Sequence, residues 1–198
     1  MSVILDILGS VIIAGFVIMI GLRLNQTISG TADASTANLN VQESMVEIVR
    51  TIESDFRKIG YGVPEGMTAI IDTGASHIHF RCDIDNDGTL DEIQWYTGPP
   101  ITSLPNPKIR VLYRRVNGGT PVGAALGVTD FKMKFLDQDG SPATSLGSIY
   151  IIETTLQVES PYKVQDQINP DQSYEEMGYA VAFWRQTRLA SRNIKRHG

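Results

Sequence analysis

Residues 2–22 read SVILDILGSVIIAGFVIMIGL, and this stretch decides how the rest of the chain can be arranged. Asp6 is its only ionisable side chain. As a helix, the stretch would cover about 30 Å, which is the thickness of the hydrocarbon core of a bilayer. The sequence therefore predicts a membrane-spanning helix at this end of the chain.

A cleaved secretory signal is the alternative interpretation of the same stretch. Ala32-Asp33-Ala34 resembles the small-residue site at which signal peptides are cut. Two features argue against cleavage: no Lys or Arg precedes the apolar run, and the run exceeds the roughly 7–15 residues typical of a signal. We expect the segment to be retained as a span.

Helical periodicity returns beyond the span, after a polar stretch of small residues at 25–40. Apolar residues then recur at spacings of three and four, which is typical of a helix with one buried face. Gly60, Gly62 and Pro64 end the pattern. The sequence predicts one nearly continuous helix from Ser2 to about Ile59. Its apolar stripe consists of Val41, Met45, Ile48, Ile52, Phe56 and Ile59, with Val49 beside it.

Beyond Pro64 the chain changes to short alternating runs separated by clusters of Gly, Pro, Asn and Asp. Such runs predict β-strands. We expect an α+β fold in which the second half of the helix packs on a meandering antiparallel sheet. Residues 1–26 would form the membrane helix, 27–60 its amphipathic continuation and 61–198 the β-rich head. The predicted strands are 67–71, 77–82, 92–96, 109–116, 128–136, 149–158 and 179–187, with a long polar loop at 162–176.

The charge of the chain argues against nucleic acid as a partner. The formal net charge is −5, and five basic groups lie in the last stretch, which leaves 12 basic against 22 acidic groups in residues 1–184. An acidic body repels phosphates. The basic stretch can attract DNA or anionic lipid, but we favour a solvated end or pairing with acidic neighbours. Its members are Arg185, Arg188, Arg192, Lys195 and Arg196.

Catalytic and zinc motifs are absent from the sequence. It contains no nucleophile elbow, phosphate loop or paired-histidine metalloprotease signature, so neither an enzyme nor a small-molecule substrate is expected. His77 and His79 form the only histidine pair on one strand face, and His197 is remote. Cys82 is the only cysteine, which excludes an intrachain disulfide, and we expect it to be a small buried hydrophobe.

An acidic segment between two predicted strands suggests a calcium loop. Asp83, Asp85, Asp87 and Gly88 match positions 1, 3, 5 and 6 of the D-x-D-x-D-G pattern, in which alternate carboxylates converge on the ion. Thr89 can offer a carbonyl at position 7, and Asp91 falls at position 9. Position 12 is Gln94, which lacks the bidentate carboxylate. The alternative is a polar hairpin turn at Asn86-Asp87-Gly88 that binds no metal.

Asp6 is the other candidate functional residue. A carboxylate within an apolar span costs about 2.5–3.5 kcal/mol on insertion scales, so such acids usually have a partner. The alternative is that Asp6 lies at the level of the lipid headgroups.

The sequence resembles the type IV pilin family, in particular its larger minor pilins and J-type pseudopilins. Removal of Met1 would put Asp6 at the fifth position, where the family has an acid that neutralises the N-terminal amine of a neighbouring subunit, although the family's usual residue is Glu. Four further segments are similar in order to the family's helix exit, acidic hairpin and following strands. They are DFRKIGYG at 55–62, IHFRCDIDNDGTLDEIQWY at 78–96, LYRRVNG at 112–118 and GVTDF at 127–131.

The resemblance implies a structural subunit of a type IV pilus-like or pseudopilus filament. Residues 1–26 would anchor the chain in the inner membrane as a single pass and then pack with the N-terminal helices of other copies or related pilins in an extracellular or periplasmic filament. Asp6 would direct assembly, and calcium would be a possible cofactor of the acidic hairpin. The alternative is a monomeric, membrane-tethered calcium-binding surface domain that does not polymerise.

Overall fold

The structure is a computed structural model that describes residues 2–165 and 173–189. It contains one long helix, α1 (Ser2–Arg57), and one seven-stranded antiparallel sheet. The predicted α+β fold is confirmed. Of the predicted basic stretch, Arg192, Lys195 and Arg196 lie outside the described residues, as does His197.

The sheet is a meander in which each strand pairs with the next along the chain. All six pairings are antiparallel. A short 3₁₀ turn, Leu146–Ser148, precedes the sixth strand. The strands are β1 Ile70–Gly74, β2 His77–Cys82, β3 Asp91–Pro100, β4 Arg110–Val116, β5 Val122–Leu136, β6 Ile151–Val164 and β7 Gly178–Leu189.

Several strand ends depart from the prediction, and β3 continues four residues further than predicted, to Pro100. β1 begins and ends three residues later than predicted, since Asp72, Thr73 and Gly74 pair with β2 instead of forming a turn. β5 begins at Val122. The loop predicted at 162–176 is wrong at its start, because β6 continues to Val164; a register shift after Glu159 carries the strand past Pro161. Residues 166–172 of that loop lie outside the described residues.

The second half of α1 forms one wall of the core. Its predicted apolar stripe is buried against the sheet, and Ile52 and Ile59 are fully inaccessible to solvent. The Phe56 ring meets Phe80 of β2 edge-to-face, with centroids 6.0 Å apart, a favourable aromatic geometry. The sheet contributes Ile78, Phe80, Cys82, Ile93, Trp95, Leu112, Val128, Phe131, Met133, Ile152, Leu156 and Val158 to the same core.

A buried ion pair joins α1 to the middle of the sheet. Asp55 is 3% exposed, and its carboxylate accepts hydrogen bonds from Arg114 of β4 at 2.6 and 3.1 Å. The Trp95 indole of β3 donates a third bond at 2.9 Å. A buried carboxylate is tolerated only when hydrogen-bond donors and a positive charge compensate its negative charge. Through these bonds, Asp55 fixes the position of α1 relative to β3 and β4.

The first half of α1 lies outside this core. Ala34 is the first buried residue of the helix among those described, and the end of β6 reaches α1 where Gln165 lies over Gly30. Before that point, apolar side chains such as Ile4, Val11 and Phe16 are more than half exposed. This part of α1 is long and apolar enough to cross a membrane.

Candidate functional site

The loop from Asp83 to Leu90 joins β2 to β3 and is held by its own carboxylates. Asn86 and Gly88 adopt left-handed backbone conformations, with φ of 64° and 87°, which allows the chain to reverse within a few residues. The Asp83 carboxylate accepts hydrogen bonds from the amides of Asp87 and Gly88 at 3.1 and 2.9 Å. Short-range bonding of aspartate to nearby amides therefore fixes the loop.

Three of the predicted ligands lie close together. One carboxylate oxygen from each of Asp83, Asp85 and Asp91 falls within 4.8 Å of the others. Asp83 is buried, Asp85 is exposed and Asp91 is half-buried. Within the described part of the chain, none of the three carboxylates forms a salt bridge with Lys, Arg or His. A cluster of oxygen ligands with negative charge suits a hard cation such as calcium.

Asp87 and Thr89 lie outside this group. The Asp87 carboxylate accepts a hydrogen bond from the Thr89 amide at 2.7 Å. Gln94, at the twelfth position of the pattern, belongs to β3 and pairs with His79. The loop leads from strand to strand, whereas the calcium pattern it resembles lies between two helices. Any ion would therefore be held by Asp83, Asp85 and Asp91 with additional carbonyl or water oxygens.

Residues distant in sequence support the acidic loop. The Asp91 carboxylate accepts bonds from the Ile84 amide at 3.1 Å and the Asn117 side chain at 2.6 Å. On the other side, Tyr61 donates to the Asn86 side chain at 2.6 Å. Lys58, just after α1, donates to the Ile84 carbonyl. Hydrogen bonds thus connect the loop both to the segment just after α1 and to the turn that follows β4.

Cys82 lies at the base of the loop and is fully buried, as predicted. Burial raises the pKa of its thiol to about 12, and the negative charges of Asp55 and Asp91 add to the effect. The thiol is therefore neutral at physiological pH. It packs as a small apolar group and has no thiolate character for metal binding or redox chemistry.

Asp6 lies on the exposed, apolar part of α1. Its side chain is open to solvent and forms no salt bridge within the described residues. The next charged residue along the helix is Arg23, about 25 Å away at 1.5 Å per residue. Among the described residues, α1 therefore offers no cation within reach of Asp6.

The paired histidines of β2 do not form a metal centre. The Nε2 atom of His77 lies 3.0 Å from the Asp72 carboxylate, and that of His79 lies 3.2 Å from Glu92. Among the described residues, the acidic triad is the only group of three or more candidate ligands that converges. Each histidine is therefore oriented by a carboxylate.

No protein-family model matches the chain, and no curated protein matches it significantly.

Proposed function

We propose that this chain is a structural subunit of a type IV pilus-like or pseudopilus filament, held in the inner membrane by α1 before assembly. The observation that carries the proposal is the division of one helix, Ser2–Arg57, into an uncovered apolar half and a half that completes the core of the head. The head faces outward in such a filament, and the apolar halves pack together.

The uncovered half of α1 requires an apolar environment. Fully burying a Val, Leu, Ile, Phe or Met side chain is worth about 1.5–3 kcal/mol, so leaving many of them in water is strongly unfavourable. Lipid satisfies this requirement for a single chain, and equivalent helices of other copies satisfy it in a filament. The same segment can therefore serve first as an anchor and then as an assembly surface.

The continuity of the helix supports assembly in preference to simple tethering. A tether needs only a span and a flexible linker, whereas here the helix runs without interruption from the apolar residues into the buried stripe. A rigid connection fixes the head relative to the span. A regular array of heads around a helical core requires every head to have the same orientation relative to its helix.

The test is electron microscopy of material sheared from cells, labelled with antibody against the head. We expect labelled filaments from cells that produce the chain and none from a matched deletion strain. A chain found solely as a monomer in the membrane fraction, with no labelled filament, contradicts the proposal.

A second candidate function is that of a monomeric, membrane-tethered calcium-binding domain, and the acidic triad favours it. Asp83, Asp85 and Asp91 bring three carboxylate oxygens together without a basic side chain in salt-bridge range among the described residues. Calcium at this point would link the two strands flanking the loop. Both functions allow calcium to bind, so calcium binding does not distinguish them. The electron microscopy described above does, because only a filament subunit gives labelled filaments.

We expect calcium to raise the melting temperature of the full chain in detergent. An ion that binds only the folded state stabilises it by mass action, by about 2.7 kcal/mol at a hundredfold excess over the dissociation constant. Differential scanning calorimetry in millimolar calcium and in chelator measures the shift, and Asp85→Ala should abolish it.

Asp139→Ala is the matched control for that experiment. Asp139 is also an exposed aspartate in a turn between strands, but it lies outside the triad. This variant should keep the calcium-dependent shift in full. Magnesium should give a smaller shift, because it demands a tighter octahedral shell. Identical melting curves with calcium and with chelator would reject the site.

A further inference from the structure

The second half of α1 has an exposed face on the side opposite the core. Leu39, Glu43, Val46 and Glu47 lie on it and line a shallow groove along the helix. At 3.6 residues per turn, these positions fall on the side of the helix away from its buried stripe. Leu39 and Val46 are 65% and 49% exposed. We call these four residues the outer face of α1.

A second exposed apolar surface lies on β7, the last strand of the sheet. Ala180 and Ala182 of this strand pack in or against the core. Alternation along the strand turns the residues between and after them to the opposite face of the sheet. These are Val181, Phe183 and Arg185, which we call the β7 ridge. The two apolar members are 51% and 61% exposed, and aromatic residues and arginine are enriched at protein interfaces.

The two surfaces carry opposite charges that are not paired within the chain. Glu43 and Glu47 of the outer face form no salt bridge with a described residue, and neither does Arg185 of the β7 ridge. All three are exposed. Arg50 also lines the groove, but it lies beyond both glutamates at the far end. Opposite charges across an interface steer association and fix its register.

The spacing of the side chains matches as well. Leu39 and Val46 are about 10.5 Å apart along the axis of α1, and side chains on one face of a strand recur about every 6.6 Å. With Val181 placed beside Leu39, Phe183 falls between the two apolar residues of the helix. Arg185 then comes level with Glu47, about 12 Å from Leu39 along the axis.

We propose that the outer face of α1 in one copy receives the β7 ridge of a second copy. The inference rests on the proposed filament function and assigns to it a contact between heads. Because the two surfaces lie on opposite sides of the head, one neighbour cannot satisfy both. Each contact leaves one outer face and one β7 ridge free, so copies add in one direction and form an open helical row.

Cross-linking of filaments sheared from cells tests the contact. The full chain is produced with Val46→Cys and Phe183→Cys together and is treated with a short bifunctional maleimide before denaturing electrophoresis. We expect a series of dimers, trimers and longer multiples, because every copy carries both partners. Cys82 is fully buried and burial raises the pKa of its thiol to about 12, so it takes no part.

Two controls define the geometry. Each single cysteine variant should remain monomeric, because the contact places residue 46 beside residue 183 and not beside itself. Val122→Cys is the matched control for Phe183→Cys, since Val122 is another exposed apolar residue of the sheet but belongs to β5. Combined with Val46→Cys, it should give no series of multiples. Dimers from either single variant would indicate a symmetric contact and overturn the inference.

Exchange of the charges tests the contact without cysteine. Arg185→Glu should reduce the amount of labelled filament about tenfold or more, because it brings like charges together at the contact. Adding Glu47→Arg should restore filaments, since the pair re-forms with its charges exchanged. Both residues are exposed, so the melting temperature of the chain should stay unchanged.

The outcomes separate this contact from the proposed function. If the original chain forms filaments but the double cysteine variant gives no multiples, or Glu47→Arg fails to rescue Arg185→Glu, the contact is wrong and the filament function stands. If the original chain forms no filaments, the proposed function is wrong and the contact fails with it.

Discussion

A chain that begins at Gly60 should aggregate, whereas one that begins at Thr27 should be soluble, monomeric and cooperatively folded. The longer fragment keeps the whole buried stripe of α1 and loses only the uncovered first part of the helix. The shorter one exposes the sheet surface that Phe56 and Ile52 cover, and large exposed apolar patches promote association. Size-exclusion chromatography and thermal melting followed by circular dichroism distinguish the outcomes.

Point substitutions in the Thr27 fragment test the same architecture with less disruption. Phe56→Ala removes a side chain that is 1% exposed and should cost about 3–5 kcal/mol in the free energy of unfolding. Val46→Ala, on the same helix but 49% exposed, should change it by no more than about 0.5 kcal/mol. Urea denaturation measures both. A soluble, cooperatively melting fragment that begins at Gly60 would show that the helix is not part of the core.

Asp6→Ala should abolish filaments while leaving the amount of chain in the membrane unchanged or increased. Removing the carboxylate removes a charge that opposes insertion. Among packed helices, however, a carboxylate is tolerable only beside a cation, and in the proposed filament that cation is the N-terminal amine of a neighbour. Without Asp6 that amine is buried unpaired. The readout is the amount of chain in the membrane fraction and in material sheared from cells.

Two further substitutions at the same position separate charge from shape. Asp6→Glu should retain assembly, and Asp6→Asn should lose most of it, because the amide keeps the shape and loses the charge. Asp33→Asn is the control, since Asp33 is an exposed aspartate of α1 beyond the apolar run. Normal amounts of Asp6→Ala and Asp6→Asn chain in the sheared fraction would mean that Asp6 lies at the headgroups and does not direct assembly.

Periodicity was sufficient to predict α1 and the face by which it is buried. Apolar residues spaced three and four apart over 41–59 predict a helix with one apolar side. Alternation of apolar and polar residues over 77–82 predicts a strand with one buried face. The β1 strand is different, because Asp72, Thr73 and Gly74 have turn-like chemistry. Their pairing with β2 is a tertiary effect that outweighs local preference.

Long-range polar contacts could not be predicted from local sequence. Asp55 meets Arg114 across 59 positions, and no spacing rule relates them. The acidic loop was recognisable because its aspartates alternate at 83, 85 and 87 and are followed by a glycine. Its supports, Tyr61 and Asn117, lie 25 and 26 positions from their partners and carry no motif. Only the fold brings such groups together.

The single helix that carries both the apolar segment and the wall of the core also defines how tension along it is carried. A pull on the apolar half acts along the axis of α1 and loads its contacts with the sheet in shear, from Ala34 at the near end to Asp55 and Phe56 at the far end. Shear must displace a whole row of side chains together, whereas peeling would part them one by one. The head therefore resists extraction as one block, and the strength of the attachment is the strength of the core itself.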